Sequence, residues 1–252
     1  MRRITITIFL TINLLTVFGQ EMTKEQQKIV YDFIECIKNQ KKEKLISKIS
    51  FPFNREYPIP SIKNRQEFLD RYNEVFDDKL TKMIINSMPS KDWSAVGWRG
   101  IMLLNGDVWL DYDGRLIAVN YQSQIEAKKK EELINIEKSQ LHESIKYFKK
   151  PVLILETAKY RIRIDDMGEG SYRYASWKLE NKMNDKPDLI IQKGEYRPDG
   201  SGGNHSFEFT NGEYKYECAI IVMGEKDSPP AYLTIYQGDK EILSQKANIV
   251  TK

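Results

Sequence analysis

Residues 92–121 read DWSAVGWRGIMLLNGDVWLDYDGRLIAVNY, and this stretch decides the fold of the N-terminal half. It holds three of the four tryptophans, and both Asn105-Gly106 and Asp113-Gly114 lie between apolar runs. Asn-Gly in this setting predicts a type I′ hairpin turn, in which both central residues take positive φ. The two turns together predict a meander of three antiparallel strands: Trp98–Leu104, Val108–Asp111 and Leu116–Tyr121.

Helical signals precede this meander. Thr23 and Gln26 have the spacing of a capping box, and Asn64 with Glu67 repeats it. Apolar residues then recur at helical spacing after each cap, and a short apolar helix around Leu45–Ile49 should end before Pro52. Helices followed by antiparallel strands predict an α+β domain, with N-terminal helices packed on a curved antiparallel sheet.

The remaining chain changes character twice. Residues 124–150 contain seven lysines and five glutamates and predict a solvated connecting helix with one narrow apolar stripe. Beyond Pro151, short runs of strand-forming residues alternate with turn signals, which predicts a small all-β antiparallel barrel or sandwich. The eight predicted strands are Pro151–Thr157, Lys159–Asp165, Ser171–Trp177, Asp188–Gly194, Ser206–Thr210, Glu213–Met223, Ala231–Gln237 and Glu241–Ala247.

The N-terminus has the pattern of an export signal. Arg2 and Arg3 precede the apolar run Ile4–Phe18, which is short for a membrane-spanning helix. Cleavage before Gln20 would release a periplasmic or secreted protein with no membrane insertion, and a retained signal anchor is the alternative. The predicted organisation is therefore a signal peptide at 1–19, an α+β domain at 20–123, a connecting helix at 124–150 and an all-β domain at 151–252.

Charge and cysteine content restrict the partners. Loss of residues 1–19 removes two arginines and no acid, so the formal charge falls from +3 to +1. This balance favours neither nucleic acid nor an anionic membrane as a partner. Cys36 and Cys218 are far apart in sequence, and they form either an export-compatible disulfide or two buried thiols.

Motifs for catalysis or metal binding are missing from the sequence. The two histidines, His142 and His205, lie in the charged segment and beside a glycine-rich loop, away from any nucleophile motif. Asp107, Asp111 and Asp113 lack the ligand spacing of a calcium loop, and no zinc motif occurs. We therefore predict no catalytic residues, no metal and no cofactor.

The best candidate site is the aromatic meander. Side chains alternate along a strand, so Trp109 and Asp111 share one face. If that face is concave, aromatic walls with a few polar groups are typical of a ligand pocket; otherwise the tryptophans fill the core. The predicted ligand-binding residues are Trp98, Arg99, Trp109, Asp111, Asn120 and Tyr121.

The order of elements over residues 22–123 resembles the NTF2-like (SnoaL-like) superfamily. The run from Trp93 through Trp98-Arg99-Gly100 to Asn120 is similar to secreted bacterial members of this type. The resemblance implies a cone of helices and sheet with an open mouth, and a periplasmic address. The C-terminal half is similar only in strand count to small periplasmic barrels that inhibit lysozymes.

Three functions follow from this reading. The favoured one is an exported, non-catalytic binding protein that holds an unknown small molecule or protein in the cone pocket, in the β-domain loops or in both. One alternative is a small-molecule hydrolase or isomerase that uses Asp111 as base with Arg99 or Tyr121 as electrostatic partner. The other is a periplasmic hydrolase inhibitor or immunity-type protein.

Overall fold

A computed structural model describes residues 22–250. This part of the chain is α+β, with a helical N-terminal region on a four-stranded antiparallel sheet and a closed eight-stranded antiparallel barrel. The predicted signal peptide lies outside the described residues. Within residues 22–250, no helix has the length and apolar character needed to cross a membrane.

Six helices precede the sheet, and the predicted caps begin two of them. The Thr23 hydroxyl accepts a hydrogen bond from the Gln26 backbone N–H, and the Gln26 side chain accepts one from the Thr23 N–H, which completes the capping box. The Asn64 side chain accepts one from the Glu67 N–H. The helices are α1 (Lys24–Lys38), α2 (Lys42–Ile46), α3 (Arg65–Asp70), α4 (Tyr72–Val75), α5 (Asp78–Asn86) and α6 (Pro89–Asp92).

The predicted meander is present and gains one strand. Its strands are β1 (Trp93–Ala95), β2 (Ile101–Leu103), β3 (Val108–Leu110) and β4 (Leu116–Val119), paired in that order. The strand predicted to begin at Trp98 begins three residues later, at Ile101, because Gly97–Arg99 forms a 3₁₀ turn. Gly100 follows this turn at φ 106°, where a Cβ atom would lie 2.2 Å from the Leu110 carbonyl oxygen, so only glycine fits.

The type I′ turn predicted at Asn105-Gly106 is wrong. The connection runs over four residues, and positive φ falls on Leu104 (48°) and Gly106 (96°) rather than on the two central residues of a two-residue turn. The Leu103 carbonyl accepts hydrogen bonds from the N–H groups of both Gly106 and Asp107. The longer loop keeps β2 and β3 paired in an antiparallel register.

One face of this sheet packs on the helices. Ile101, Leu103, Val108 and Leu110 are fully buried in a cluster with residues of α1 and α5. Because side chains alternate along a strand, Trp109 and its paired neighbours Met102 and Ala118 lie on the opposite face, where each is half-buried.

The connecting segment is helical only in its first part. Helix α7 spans Gln124–Gln140, and a 3₁₀ turn at Glu143–Ile145 follows. The predicted helical stripe is wrong in form, because Leu141, Ile145 and Phe148 lie beyond the end of α7. These residues are nevertheless buried together, in a cluster with Trp177 on the outer wall of the barrel. The segment is therefore a cover for the barrel as well as a connection.

The C-terminal half is a barrel rather than a sandwich. All eight predicted strands occur, and the last pairs with the first through Asn248 with Glu156 and Ile249 with Leu155, which closes the sheet. Inward-facing apolar residues such as Ile162, Ile164 and Phe209 fill the interior. The strands are β5 (Lys150–Glu156), β6 (Tyr160–Gly168), β7 (Ser171–Lys178), β8 (Leu189–Asp199), β9 (Asn204–Asn211), β10 (Tyr214–Ile220), β11 (Ala231–Gln237) and β12 (Lys240–Ile249).

The two cysteines are buried free thiols, so of the two alternatives the disulfide is wrong. Cys36 lies in α1 and Cys218 in β10, in separate hydrophobic clusters. Burial raises the pKa of both thiols, which lowers their reactivity as thiolates.

Candidate functional site

The six predicted ligand-binding residues lie in different surroundings. Trp98 is 64% exposed on the 3₁₀ turn. The neighbouring Arg99 side chain donates a hydrogen bond to the Ser201 carbonyl in the glycine-rich loop between β8 and β9 of the barrel. The indole of Trp109 packs beside Gly106, where a Cβ atom would lie 3.0 Å from the indole nitrogen. Trp98 and Arg99 contact each other, with the Arg99 guanidinium carbon 5.9 Å from the centroid of the Trp98 ring, whereas Trp109 packs on the turn at Gly106.

Asp111 builds a turn. Its Oδ1 atom accepts hydrogen bonds from the Asp113 N–H at 2.9 Å and from the Arg115 N–H at 2.8 Å. No ion pair within residues 22–250 joins it to Arg99. A carboxylate oxygen that is shared by two backbone donors acts as a structural acceptor.

The turn role predicts a difference between two Asp111 variants. Asp111→Asn keeps the Oδ1 acceptor and should change the free energy of unfolding by less than about 0.5 kcal/mol. Asp111→Ala removes both hydrogen bonds and should cost about 1–2 kcal/mol. Urea unfolding of both variants measures this, and equal losses would show that Asp111 does not hold the turn through its oxygen.

Asn120 and Tyr121 line two separate grooves. The Asn120 amide donates to the Gly106 carbonyl at 2.9 Å and borders a groove of about 490 Å³. The Tyr121 hydroxyl donates to Asp77 at 3.0 Å and borders a second groove of about 610 Å³. Burial, with Asp77 adding to it, raises the pKa of Tyr121 to about 12. Asn120 and Tyr121 thus border different grooves, and ligand binding by the six residues stays a prediction.

A cluster of charged side chains is buried between the connecting segment and the barrel. Arg163 and Asp165 are fully buried on β6, and Arg173 is nearly so on β7. The Asp165 carboxylate lies 2.6 Å from the Arg163 guanidinium and 2.5 Å from that of Arg173. Two guanidinium groups therefore share one buried counter-charge from Asp165.

The cluster joins three parts of the chain. Glu137 of α7 pairs with Arg163 and accepts a hydrogen bond at 2.6 Å from the Tyr57 hydroxyl of the N-terminal domain. Arg173 donates to the carbonyls of Ile145 and Tyr147, which follow α7. Burial alone would lower the pKa of Arg163, but Asp165 and Glu137 raise it above its ordinary value. These contacts hold the N-terminal domain, the connecting segment and the barrel together.

A pocket of about 190 Å³ opens at one mouth of the barrel. Its lining consists of three tyrosines, three aliphatic residues, Ser176 and Asp188. Apolar walls with a few polar groups are the usual composition of a small-molecule site. The sequence reading did not include this pocket among its candidate sites.

Two of the three tyrosines, Tyr160 and Tyr174, lie on one hairpin, and Tyr216 comes from a distant part of the chain. Tyr160 on β6 faces Tyr216 on β10, because these strands are four apart in the closed order of eight. Tyr174 on β7 has its ring centroid 5.5 Å from that of Tyr216, at an interplanar angle of 46°. Burial raises the pKa of Tyr174 and Tyr216, and the neighbouring tyrosines raise both further, so the phenols stay neutral at physiological pH.

The floor of the pocket depends on close packing. Tyr174 contacts Phe209, with ring centroids 5.4 Å apart. The Phe209 ring in turn lies against Gly194, where a Cβ atom would be 2.1 Å from it. Glycine at this position lets an aromatic ring fill the barrel below the tyrosines. The barrel is therefore packed beneath the pocket.

Metal binding has no support in the described residues, because no group of three or more histidine, cysteine, aspartate or glutamate side chains there could hold an ion. Tyrosine, serine and a single aspartate can bind and orient a molecule by packing and hydrogen bonding. Comparison of this chain with protein-family models, with curated proteins and with solved structures finds no match.

Proposed function

We propose that this chain is a non-catalytic binding protein that holds a small molecule in the mouth of its barrel. The observation that carries the proposal is the 190 Å³ pocket above an otherwise filled barrel interior. An eight-stranded barrel has room either for its own side chains or for one small ligand. Here side chains fill the deeper part of the barrel, and the pocket lies above them at the mouth.

The geometry favours binding over the hydrolase or isomerase alternative. That alternative needs Asp111 together with Arg99 or Tyr121, but each of these side chains has a different partner: the turn backbone, Ser201 and Asp77. A general base has to reach the proton that it removes, and a nucleophile has to reach its base. The barrel pocket offers Asp188 at its rim but no histidine, cysteine or lysine in its lining.

Two further parts of the proposal come from the sequence. The order of helices and antiparallel strands supports an NTF2-like relationship for residues 22–123, although β1 to β4 are only three or four residues long. The Arg2-Arg3 start and the following apolar run support export to the periplasm or the medium. Both stay predictions.

Binding at the mouth is tested by filling it. We expect a panel of one-ring and small branched compounds, carrying positive, negative and no charge, to include ligands that shift the NMR resonances of Tyr160, Tyr174 and Leu233 saturably. Ile235→Trp should abolish these shifts, because Ile235 lines the pocket and the larger side chain occupies it. Ile242→Trp, at an exposed position of β12, is the matched control and should bind normally.

Two results would contradict the proposal. The first is that no compound in the panel moves the pocket resonances. The second is that Ile235→Trp binds as tightly as the unaltered chain. Circular dichroism and the dispersion of the NMR spectrum show whether each variant is folded.

A second candidate function is partner binding of the inhibitor or immunity type. It is favoured by exposed apolar side chains where the domains meet: Trp98 of the N-terminal domain, and Val222 and Met223 of the loop between β10 and β11. The Arg99 contact to Ser201 places Trp98 beside this loop region, since Met223 packs on Gly202. Exposed aromatic and methionine side chains are enriched at protein interfaces.

A further inference from the structure

We propose that the barrel pocket selects a small organic cation, and specifically a quaternary or methylated ammonium group. This inference rests on the proposed function and names the chemical class of its ligand. Three tyrosine rings, one acidic side chain at the rim and a lining without basic residues are the features that carry it.

The aromatic walls have the arrangement that such a cation needs. A cation is attracted to the face of an aromatic ring within about 6 Å of its centroid, and several rings around one ammonium group form an aromatic cage. The rings of Tyr174 and Tyr216 meet at an interplanar angle of 46°. Tyr160 lies on β6, beside the strand of Tyr174 and across the barrel from the strand of Tyr216. The three rings therefore surround the pocket from two sides.

The charges around the pocket agree with this choice. Asp188 is the only ionisable group in the lining apart from the tyrosines. One of its oxygens accepts the Lys178 backbone N–H at 2.9 Å, which fixes the carboxylate at the rim. The Lys178 side chain itself is exposed and free to extend into solvent. Lys215, the neighbour of Tyr216 in sequence, lies on the outer wall against Tyr236 and Glu217.

The size of the pocket fits a compact group. A cavity of about 150 Å³ accommodates benzene, so about 190 Å³ holds a trimethylammonium group with a short substituent. Leu189, Leu233 and Ile235 would contact the methyl groups, which carry much of the positive charge of such an ion. A primary ammonium, by contrast, is strongly hydrated, and the hydroxyl and carboxylate oxygens of the lining would have to replace its water on entry.

The experiment compares choline with its uncharged carbon analogue, 3,3-dimethylbutan-1-ol, by NMR titration of the whole mature chain. The two probes have nearly the same shape, so any difference reports the charge. We expect choline to bind at least about tenfold more tightly and to shift the resonances of Tyr160, Tyr174 and Tyr216. Asp188→Asn should weaken choline binding and leave the neutral analogue unchanged.

Tyrosine variants identify the source of the selectivity. Tyr160→Leu and Tyr216→Leu should each weaken choline binding roughly 2- to 30-fold, the range of one cation–π contact. Tyr160→Phe and Tyr216→Phe retain a ring face and should bind within about twofold of the unaltered chain. Tyr236→Leu, on the outer wall of the barrel, is the matched control. The comparison of choline with its neutral analogue uses the unaltered chain, so it does not depend on whether any variant folds.

The outcomes separate this inference from the proposed function. If both probes bind in the pocket with equal affinity, the cation selectivity is wrong and the binding function stands. If neither probe moves the pocket resonances but another compound in the panel does, the ligand class is wrong and the site is right. If nothing in the panel binds there, both proposals fall.

Discussion

An Asp165→Asn variant should lose about 3–5 kcal/mol of the free energy of unfolding. The change leaves the guanidinium groups of Arg163 and Arg173 buried with only Glu137 as a charged partner. Removing one member of a buried ion pair is strongly destabilising, because the remaining charge keeps its desolvation cost without its counter-charge. Among the single substitutions considered, this one should have the largest effect.

The measurement is urea unfolding followed by circular dichroism, and the adjacent residue supplies the control. Asp166→Asn makes the same chemical change at the next position. There the Asp166 Oδ1 atom accepts a hydrogen bond from the Gly168 N–H at 2.7 Å, and the amide oxygen of asparagine can accept the same bond. It should cost less than about 1 kcal/mol. Equal losses in the two variants would show that the buried cluster does not depend on the charge of Asp165.

The strands of the barrel were predictable because each one carries a local signal. In Tyr214–Ile220, inward-facing Tyr216, Cys218 and Ile220 alternate with Lys215 and Glu217, and this period of two is independent of what the strand pairs with. The choice between barrel and sandwich was not predictable. It depends on pairing between β12 and β5, which lie at opposite ends of the domain sequence.

The candidate site was only partly predictable for a related reason. Alternation along a strand predicts that Trp109 and Asp111 share one face, but β3 ends at Leu110 and Asp111 belongs to the turn that follows. Which face of a sheet packs on helices is decided by the helices. Arg163 and Asp165 alternate with Ile162 and Ile164, so a local reading assigns them to solvent. Only the cover supplied by Leu141, Ile145 and Phe148 makes their positions buried.

The pocket was missed because its residues do not form a motif. Tyr160 and Tyr174 lie on one hairpin, but Tyr216 approaches them only in the folded barrel. A search for aromatic residues at inward-facing strand positions near the same end of each strand would have found them. The tryptophan-rich meander, by contrast, carries a dense and local signal, and the predicted ligand-binding residues all lie there.

Fragments that lack α7 should be much less stable than fragments that contain it. The N-terminal part of α7 supplies Glu126, which is fully buried and pairs with the buried Arg55. Residues near and beyond its end supply Glu137 and Phe148 to the barrel. Without the connecting segment, each neighbouring domain loses one carboxylate partner of a guanidinium group, and the barrel also loses its apolar cover, so each should unfold at a lower urea concentration.

Four fragments test this: the members of the first pair differ by α7, and those of the second pair differ by the whole connecting segment, 124–150. Residues 20–140 should unfold cooperatively, and 20–123 should unfold at a lower urea concentration or be partly unfolded at the start. The fragment 124–252 should likewise unfold at a higher urea concentration than 151–252, in which Trp177 also loses its cover. If the short and long members of each pair unfold at the same midpoint, the domains fold independently of the helix and α7 is only a connection. If both short members lose stability, the connecting segment completes two cores, and the ion pairs of Glu126 and Glu137 join it to the N-terminal domain and to the barrel wall.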